Sequence, residues 1–224
     1  MSAEEHHIIT TQDGSHSVQS PRFGVSYHSR YGAVQESRHV FLKSGLYARL
    51  PELPKVRVLE LGFGTGLNAL LTWLEAEEQQ KPIQYTSLEA YPITSEQVQL
   101  LNYPEALSLP SPAPFLRLHE SEWGQRHTLS AHFTFEKRKE RFEELQFEQA
   151  FDVVYFDAFA PNAQPELWTE ELLSKVYRAT AEGGVLVTYC AKGAVKRTLK
   201  GLGYEVEALP GPPGKREMTR AWRR

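Results

Sequence analysis

The feature that most constrains this chain is the segment VRVLELGFGTGLNALL, residues 56–71. An apolar run of the β type ends at Glu60 and leads into three glycines, Gly62, Gly64 and Gly66. A helical pattern begins directly after them. A strand, a glycine turn and a helix start in this order form a nucleotide-sized site at the carboxyl edge of a parallel sheet.

The spacing of the glycines narrows the choice of ligand. It reads G-x-G-x-G, whereas dinucleotide sites use G-x-G-x-x-G, and the Gly-Lys-Ser/Thr of a P-loop is absent from this segment. An acid just before the glycines suits a cationic amino group better than a pyrophosphate. S-adenosylmethionine carries such a group and a sulfonium, so the motif favours this cofactor. A tight turn that binds no ligand is the alternative.

The composition sets the remaining limits. The chain has 224 residues, 41% of them hydrophobic, and a net charge of −3, which predicts one large domain with a small appendage and no global attraction to anionic partners. The single cysteine, Cys190, excludes an internal disulfide and fits a reducing compartment. The polar start and the lack of a long apolar run predict a cytoplasmic protein with no leader and no membrane contact. We expect no metal site.

The first quarter of the chain differs from the rest. Ile8–Ser20 resembles a small hairpin with Asp13-Gly14 at its turn, and a helical pattern covers Ala33–Leu50. A proline-rich linker follows at residues 51–54. We therefore expect residues 1–54 to be a hairpin and helix appended to a Rossmann-like domain of residues 55–224.

Strand and helix patterns alternate through this larger domain, which predicts an α/β fold: an open, mainly parallel sheet with helices on both faces and an antiparallel edge pair. The proline-marked stretch 109–114 is expected to be a loop, and the charges of EKRKERFEELQFEQ (residues 136–149) are expected to be a solvated face. The predicted strands lie near Val56–Leu61, Ile83–Glu89, His132–Lys137, Phe151–Asp157, Val185–Cys190, Tyr204–Leu209 and Glu217–Arg223, and the predicted helices near Leu67–Gln79, Ser95–Leu101, Thr169–Ala181 and Gly193–Leu202.

Two acids end predicted strands at the edge where the glycine turn lies. Glu89 stands 27 positions after Gly62, and an acid at the end of the second strand accepts hydrogen bonds from ribose hydroxyls in doubly wound folds. Asp157 ends the apolar strand FDVVYFD, which places it near the reactive end of a ligand held by the glycine turn. An exposed surface acid and a helix-capping acid are the respective alternatives.

Basic residues concentrate at the carboxyl-terminal end. From Lys192 onward there are nine basic and three acidic residues, a net charge of +6 against about −9 for the rest of the chain. This asymmetry predicts a local surface that follows nucleic-acid phosphates, with a solvated helix face as the alternative. The candidate RNA-binding residues are Lys192, Lys196, Arg197, Lys200, Lys215 and Arg216.

Four segments together resemble one family. They are YHSRYGAVQESRHVFL from Tyr27, LELGFGTGLNALL from Leu59, FDAFAPNAQPELWT from Phe156 and a carboxyl-terminal stretch from Gly183 that ends in KREM. In this order they are similar to the methyltransferase domain of the bifunctional tRNA 5-methylaminomethyl-2-thiouridine biosynthesis proteins. They also resemble its free-standing counterparts, the DUF752 or MnmD-type proteins.

The resemblance implies a class I S-adenosylmethionine-dependent methyltransferase that acts on tRNA. The expected reaction converts 5-aminomethyluridine at the wobble position, often 2-thiolated, to 5-methylaminomethyluridine. Asp157 matches the proposed catalytic acid of the family and also lies in the cofactor site. The other implied cofactor-binding residues are Tyr27, Glu60, Gly62, Phe63, Gly64, Thr65, Gly66, Asn68 and Glu89.

Some expectations from the family are less specific. Tyr27, Arg38 and Phe41 are expected to cover the cofactor or admit the base, and either Glu136 or Glu140 to contact the adenine. Many relatives fuse this domain to a flavin-dependent oxidase that makes the amine, for which this chain has no room. We therefore expect a separate enzyme to supply the aminomethyl substrate.

Other functions remain open at this stage. An aminopropyltransferase of the spermidine synthase type shares the fold, but is expected to have more acids around a polyamine tunnel and no basic carboxyl-terminal face. A non-catalytic RNA-binding module on a methyltransferase fold is the second alternative. The intact acids and glycines argue against it. A nicotinamide oxidoreductase fits least, because the glycine spacing is wrong.

Overall fold

The structure is a computed structural model that describes residues 7–20 and 23–224. The first six residues, which form part of the polar start of the chain, lie outside the described residues. Within the described ranges, eleven strands form a three-stranded antiparallel sheet and an eight-stranded sheet. The strands are β1 (His7–Thr10), β2 (His16–Ser20), β3 (Val25–Ser26), β4 (Val56–Leu61), β5 (Ile83–Leu88), β6 (Arg126–Thr128), β7 (Phe133–Arg138), β8 (Phe151–Phe156), β9 (Thr180–Thr188), β10 (Tyr204–Pro210) and β11 (Glu217–Arg223).

The large sheet has the order β10-β11-β9-β8-β4-β5-β7-β6. Its five central strands, β9, β8, β4, β5 and β7, are parallel to one another. At one edge β6 pairs antiparallel with β7, and at the other edge β11 pairs antiparallel with both β9 and β10. Every residue of β8 is buried, which is the pattern of a central strand covered by helices on both faces. The predicted α/β sheet with an antiparallel edge pair is confirmed. The chain reverses its direction of strand addition between β4 and β8, and ligands bind at such switch points.

The helices cover both faces of this sheet. In residues 7–20 and 23–224 the α-helices are α1 (Ala33–Ser37), α2 (Leu67–Glu78), α3 (Ser95–Gln99), α4 (Tyr103–Ala106), α5 (Ala113–Glu120), α6 (Glu170–Ala179) and α7 (Gly193–Gly201). Shorter helical turns cover Arg38–Lys43 (π-helical) and Leu46–Ala48, Phe142–Glu144 and Pro165–Trp168 (3-10). The Thr169 hydroxyl accepts a hydrogen bond from Leu172 N at 3.3 Å and so caps α6.

The prediction of a single helix over Ala33–Leu50 is wrong. The segment instead passes from α1 to a π-helical turn and then to a 3-10 turn. The Ser44 hydroxyl donates to His39 O at 2.9 Å. Gly45 packs closely on the preceding turn, since a Cβ there would lie 2.6 Å from Phe41 O. At this point the hydrogen-bond pattern of the backbone changes from that of a π-helix to that of a 3-10 helix.

The loop expected at residues 109–114 is also only partly correct. Helix α5 begins at Ala113 inside this stretch, with Pro112 before it and Pro114 in its first turn. Proline is tolerated there because the first N–H groups of a helix have no partner within the helix. The cluster of prolines therefore marks the start of a helix. The sequence analysis also did not predict the short strand β6, which follows this helix.

The predicted amino-terminal hairpin is confirmed. β1 and β2 pair in the antiparallel sense, and β3, which was not expected, adds to β2. Asp13 holds the turn by accepting from Ser15 N at 3.1 Å. The boundary between an appendage and the core at residues 54 and 55 stays a prediction, although one hydrophobic cluster includes residues from both parts, such as Val18, Val40 and Val58.

Candidate functional site

A cavity of about 220 Å³ lies at the carboxyl ends of β4, β5 and β8. Five separate segments of the chain form its walls. The lining residues are Phe23, Tyr27, His28, Gly62, Phe63, Gly64, Thr65, Leu67, Asn68, Glu89, Ala90, Tyr91, Arg141, Phe142, Glu143, Asp157, Ala158, Phe159, Gln164, Glu166 and Leu167. Among the described residues no group of three or more His, Cys, Asp or Glu could hold a metal ion. The same part of the chain has no helix of the length and apolarity needed to cross a membrane.

The glycine turn between β4 and α2 forms the floor of the cavity. Gly62 has a φ of +103°, and a Cβ there would lie 2.7 Å from the carbonyl oxygen of Asp157. Gly64 has a φ of +50°, and a Cβ there would lie 2.9 Å from the Tyr27 ring. Both positions therefore require glycine for the backbone angle and for the space. Gly66 precedes α2 but does not line the cavity.

Glu89 follows β5 and joins two walls of the cavity. Its carboxylate oxygens accept from Gly64 N at 2.9 Å and from Tyr91 N at 2.8 Å. Burial raises its pKa, and these backbone bonds oppose the rise. Each oxygen keeps a second lone pair, so Glu89 can also accept hydrogen bonds from the hydroxyls of a ribose.

Asp157 follows β8 and lines the cavity next to the glycine turn. Asn68 Nδ2 donates to its Oδ2 at 2.8 Å, which fixes the orientation of the carboxyl group. Burial and the nearby charge of Glu36 raise the pKa of Asp157 to about 7, while the Asn68 hydrogen bond and the charge of Lys215 oppose the rise. A carboxyl group with this pKa exchanges its proton near neutral pH.

Glu60 lies beneath the cavity and does not line it. Its side chain has no exposed surface, and its Oε2 accepts from the Ser87 hydroxyl at 2.7 Å. Its Oε1 has no hydrogen-bond partner among the described residues, and neither does Asn68 Oδ1 in the cavity wall. Burial raises the pKa of Glu60 to about 8.

Aromatic side chains cover the cavity. The ring centroid of Phe159 lies 5.0 Å from that of Tyr27 and 4.9 Å from that of Phe23. Tyr27, which was predicted to cover the cofactor, thus lies against both Gly64 and Phe159. Arg38 and Phe41 do not line the cavity: Arg38 is exposed, and Phe41 is buried in the core against Tyr155.

The loop after β7 contributes residues that the sequence analysis missed. Arg141, Phe142 and Glu143 line the cavity, although the charges of this segment were expected to be a solvated face. The two acids expected to contact the adenine lie elsewhere. Glu136 is buried between Arg126 and Arg138, and Glu140 lies 3.9 Å from Arg138.

His28 and the turn Gln164–Leu167 also line the cavity without having been predicted. The proline-bracketed loop after Asp157 gave a signal for residues 164–167, since it stiffens the chain next to the acid. His28 was marked only by its position next to Tyr27 in a segment that resembles the family.

The six basic residues lie on and around α7 and on the β10–β11 loop. Three are already engaged: Lys192 with Asn162, Lys196 with Glu217 at 2.8 Å and Lys215 with Glu36 at 2.6 Å. Arg197, Lys200 and Arg216 are exposed.

The strand order, the glycine turn and the acid after the second parallel strand define a Rossmann-like fold with a nucleoside site at its switch point. The family of S-adenosyl-L-methionine-dependent methyltransferases matches residues 113–224. The chain belongs to this family, and its cofactor is S-adenosylmethionine.

Curated relatives give a more specific likeness. The chain is 34% identical to the tRNA 5-methylaminomethyl-2-thiouridine biosynthesis bifunctional protein MnmC of Aromatoleum aromaticum, over 95% of this chain and 34% of that protein. It is 31% identical to the MnmC protein of Chromobacterium violaceum, over 97% of this chain and 34% of that protein. The chain thus spans about a third of the length of these relatives. The resemblance inferred from the four motifs is confirmed.

Solved structures agree with this assignment. MNMC2 from Aquifex aeolicus superposes with a TM-score of 0.81 at 25% identity, over 98% of this chain and 70% of that chain. Spermidine synthase from Thermotoga maritima superposes with a TM-score of 0.53 at 14% identity, over all of this chain and 70% of that one. The second likeness concerns the fold alone.

Proposed function

We propose that this chain transfers a methyl group to the 5-aminomethyl nitrogen of the wobble uridine, with or without 2-thiolation, in tRNA. The observation that carries the proposal is Asp157, a proton-accepting carboxyl group that faces the cavity and is held by Asn68. The family supports methyl transfer, and the names of the MnmC relatives support a tRNA nucleoside as the acceptor.

The residues present fit S-adenosylmethionine. The glycine turn leaves room for a ligand where a Cβ would collide, Glu89 has free lone pairs for ribose hydroxyls, and Asn68 Oδ1 is an unsatisfied acceptor within the described residues. Of the predicted cofactor residues, eight line the cavity, whereas Glu60 and Gly66 support it from below. We propose that Arg141, Phe142 and Glu143 form the adenine side in place of Glu136 or Glu140.

When bound, the cofactor would supply an electrophilic methyl group, whose bond to the sulfonium sulfur breaks as the bond to the acceptor nitrogen forms, leaving a neutral thioether. An alkylamine is mostly protonated at neutral pH, since its pKa is about 10, and it needs a free lone pair to form the new N–C bond. Asp157 accepts the proton that the nitrogen gives up, directly or through water. Its carboxylate also attracts the ammonium form, so it positions the amine as well.

The decisive experiment removes the Asp157 carboxyl group. Asp157→Ala should lower kcat by about 100-fold or more, the usual contribution of a positioned base, while leaving cofactor affinity within several-fold. Methyl-labelled cofactor is incubated with tRNA that lacks this modification, the labelled nucleoside is identified, and cofactor binding is measured by calorimetry. Full activity of Asp157→Ala would refute the proposal, and absence of cofactor binding by the unaltered protein would favour a non-catalytic module.

The substrate and its supply are part of the proposal. We propose that the exposed basic residues near α7 contact tRNA phosphates and that the protein acts in the cytoplasm, where its substrate is found. The primary amine must be formed before it reaches this site, and we propose that a separate enzyme forms it.

A further inference from the structure

Two motifs of the amino- and carboxyl-terminal parts meet beside the cavity without lining it. Glu36 lies in ESRHVFL and Lys215 in the KREM segment. Lys215 Nζ donates to Glu36 Oε1 at 2.6 Å, which joins α1 to the β10–β11 loop across 179 positions of sequence. The side chain of Glu36 is 7% exposed and that of Lys215 is 31% exposed. This is therefore a mostly buried ion pair.

The lysine is held toward the site by aromatic contacts. Lys215 Nζ lies 3.8 Å from the centroid of the Tyr189 ring, a cation–π distance. The Tyr189 hydroxyl donates to Ala158 O at 2.7 Å, and Ala158 directly follows Asp157. The ion pair is thus connected, through Tyr189, to the backbone of the residue that follows the proposed proton acceptor.

Other contacts fix the loop and the acid in place. His39 Nε2 lies 2.8 Å from Pro210 O, and Gly214 packs so closely on Tyr31 that a Cβ there would lie 2.1 Å from the ring. Glu36 Oε2 accepts from Ser29 N at 2.8 Å. The two charges are therefore constrained from both segments.

Glu36 and Lys215 act on Asp157 in opposite directions. The charge of Glu36 raises the pKa of Asp157 and that of Lys215 lowers it. Four further ionisable side chains line the same cavity and stay the same in every variant compared below: Glu89, Arg141, Glu143 and Glu166. Other nearby polar groups carry little charge at neutral pH: Asn68 is an amide, burial favours the neutral form of Glu60, and burial lowers the pKa of His28 to about 4. The tyrosines that face Asp157 are neutral as well; they are Tyr85, Tyr103 and Tyr189.

We propose that Glu36 and Lys215 are positioning residues for the proposed reaction. As a pair they place one negative and one positive charge next to the segment that carries Asp157, joined to it through Tyr189 and Ala158, so that neither charge acts alone when this carboxyl group takes up the proton of the amine. This inference rests on the proposed function in one respect: the proposed function identifies the substrate amine as the source of the proton that Asp157 accepts. The electrostatic relation among the three residues can be measured without tRNA or cofactor.

The test is a carbon-13 NMR titration of the Asp157 carboxyl group in the free protein, with the resonance assigned from Asp157→Asn. Lys215→Met should raise the titration midpoint by roughly 0.5 pH units or more, because Glu36 then acts unopposed. Glu36→Gln should lower it by a similar amount. The double variant should return it close to the unaltered value, since both charges are removed together.

The controls separate charge from structure. Lys215→Arg keeps the charge and should keep the midpoint. Glu205→Gln and Arg224→Met remove an exposed pair of 2.9 Å between β10 and β11, and neither should move the titration of Asp157. Midpoints that stay unchanged, or that move in the same direction in both single variants, would overturn the proposal. If Glu36→Gln fails to fold, the comparison of Lys215→Met with Lys215→Arg decides alone.

Discussion

The surroundings of Glu60 strongly oppose its ordinary ionisation. Its pKa is about 8 in the folded protein against 4.5 ordinarily, because no part of the side chain reaches water. Between these values the native state keeps a proton that the unfolded chain has released. The free energy of unfolding therefore falls as the pH rises through this window. The contribution of protonated Glu60 to the stability of the folded protein is complete below about pH 4.5 and is lost as the pH rises through about 8.

Replacement of Glu60 by Gln should weaken this pH dependence. The amide cannot ionise, so Glu60→Gln should raise the melting temperature by roughly 5 °C or more at pH 8 relative to the unaltered protein, and by less at pH 5. Calorimetric melting at both pH values measures the effect. Glu205→Gln, at an exposed position, is the control. An equal change at both pH values would contradict the assigned cause.

Single residues of the site were predictable when they ended a strand or belonged to the glycine turn. Asp157, Glu89 and Gly62 occupy positions that strand patterns fix along the sequence. His28 and Arg141 were not predictable, because they reach the cavity from loops whose paths depend on tertiary packing. The raised pKa of Asp157 likewise follows from burial, which spacing along the chain does not reveal.

At the scale of the elements, β4 and β8 approach each other closely at the glycine turn. Asp157 N donates to Leu61 O at 3.0 Å, and Gly62 N donates to Leu88 O at 3.0 Å. Gly62 therefore meets two neighbouring strands at once. An added methyl group at this position would push directly against the backbone that carries Asp157.

Gly62→Ala should consequently lose stability by about 2 kcal/mol or more and bind the cofactor at least 10-fold more weakly. Denaturant unfolding and calorimetric binding measure the two effects. Gly201→Ala is the matched control: it lies at the end of α7 with no atom within 4 Å of the new Cβ, so stability should be unchanged or rise by up to about 1 kcal/mol. Similar losses in both variants would contradict the steric explanation.

The pattern of elements was more predictable than the type of helix. Apolar runs identified the central strands, including the fully buried β8. The change to a π-helical turn after Ser37 and the start of α5 among prolines were missed. Both depend on contacts, such as that of Gly45 with Phe41, between backbone atoms that a hydrophobic pattern does not specify.

For the molecule as a whole, charge is distributed unevenly. The carboxyl-terminal segment is basic, but Lys196 and Lys215 are paired with acids, so we expect the exposed residues Arg197, Lys200 and Arg216 to contribute much of the proposed attraction to tRNA phosphates. The predicted RNA-binding residues therefore fall into two groups, those that are already bonded within the protein and those whose side chains are exposed to solvent.

Removal of the three exposed charges together should weaken tRNA binding and reduce the slope of log affinity against log salt by about 2–3, since each phosphate contact releases a counterion. Fluorescence anisotropy at several salt concentrations measures the slope. Lys55→Ala is the control, because Lys55 precedes β4 at the end of the sheet opposite the cavity. An unchanged slope in the triple variant would remove these residues from the RNA interface.

The cavity draws its walls from segments between residues 23 and 167, and this limits how the chain can be recombined. The half that matches the family, residues 113–224, includes Asp157, Phe159 and the loop after β7, but neither the glycine turn nor the aromatic side chains Phe23 and Tyr27. A chimera made by joining that half to a foreign amino-terminal half would inherit the proposed proton acceptor without the glycine turn that packs against it. Crossover points for domain shuffling therefore belong outside the interval that encloses the cavity.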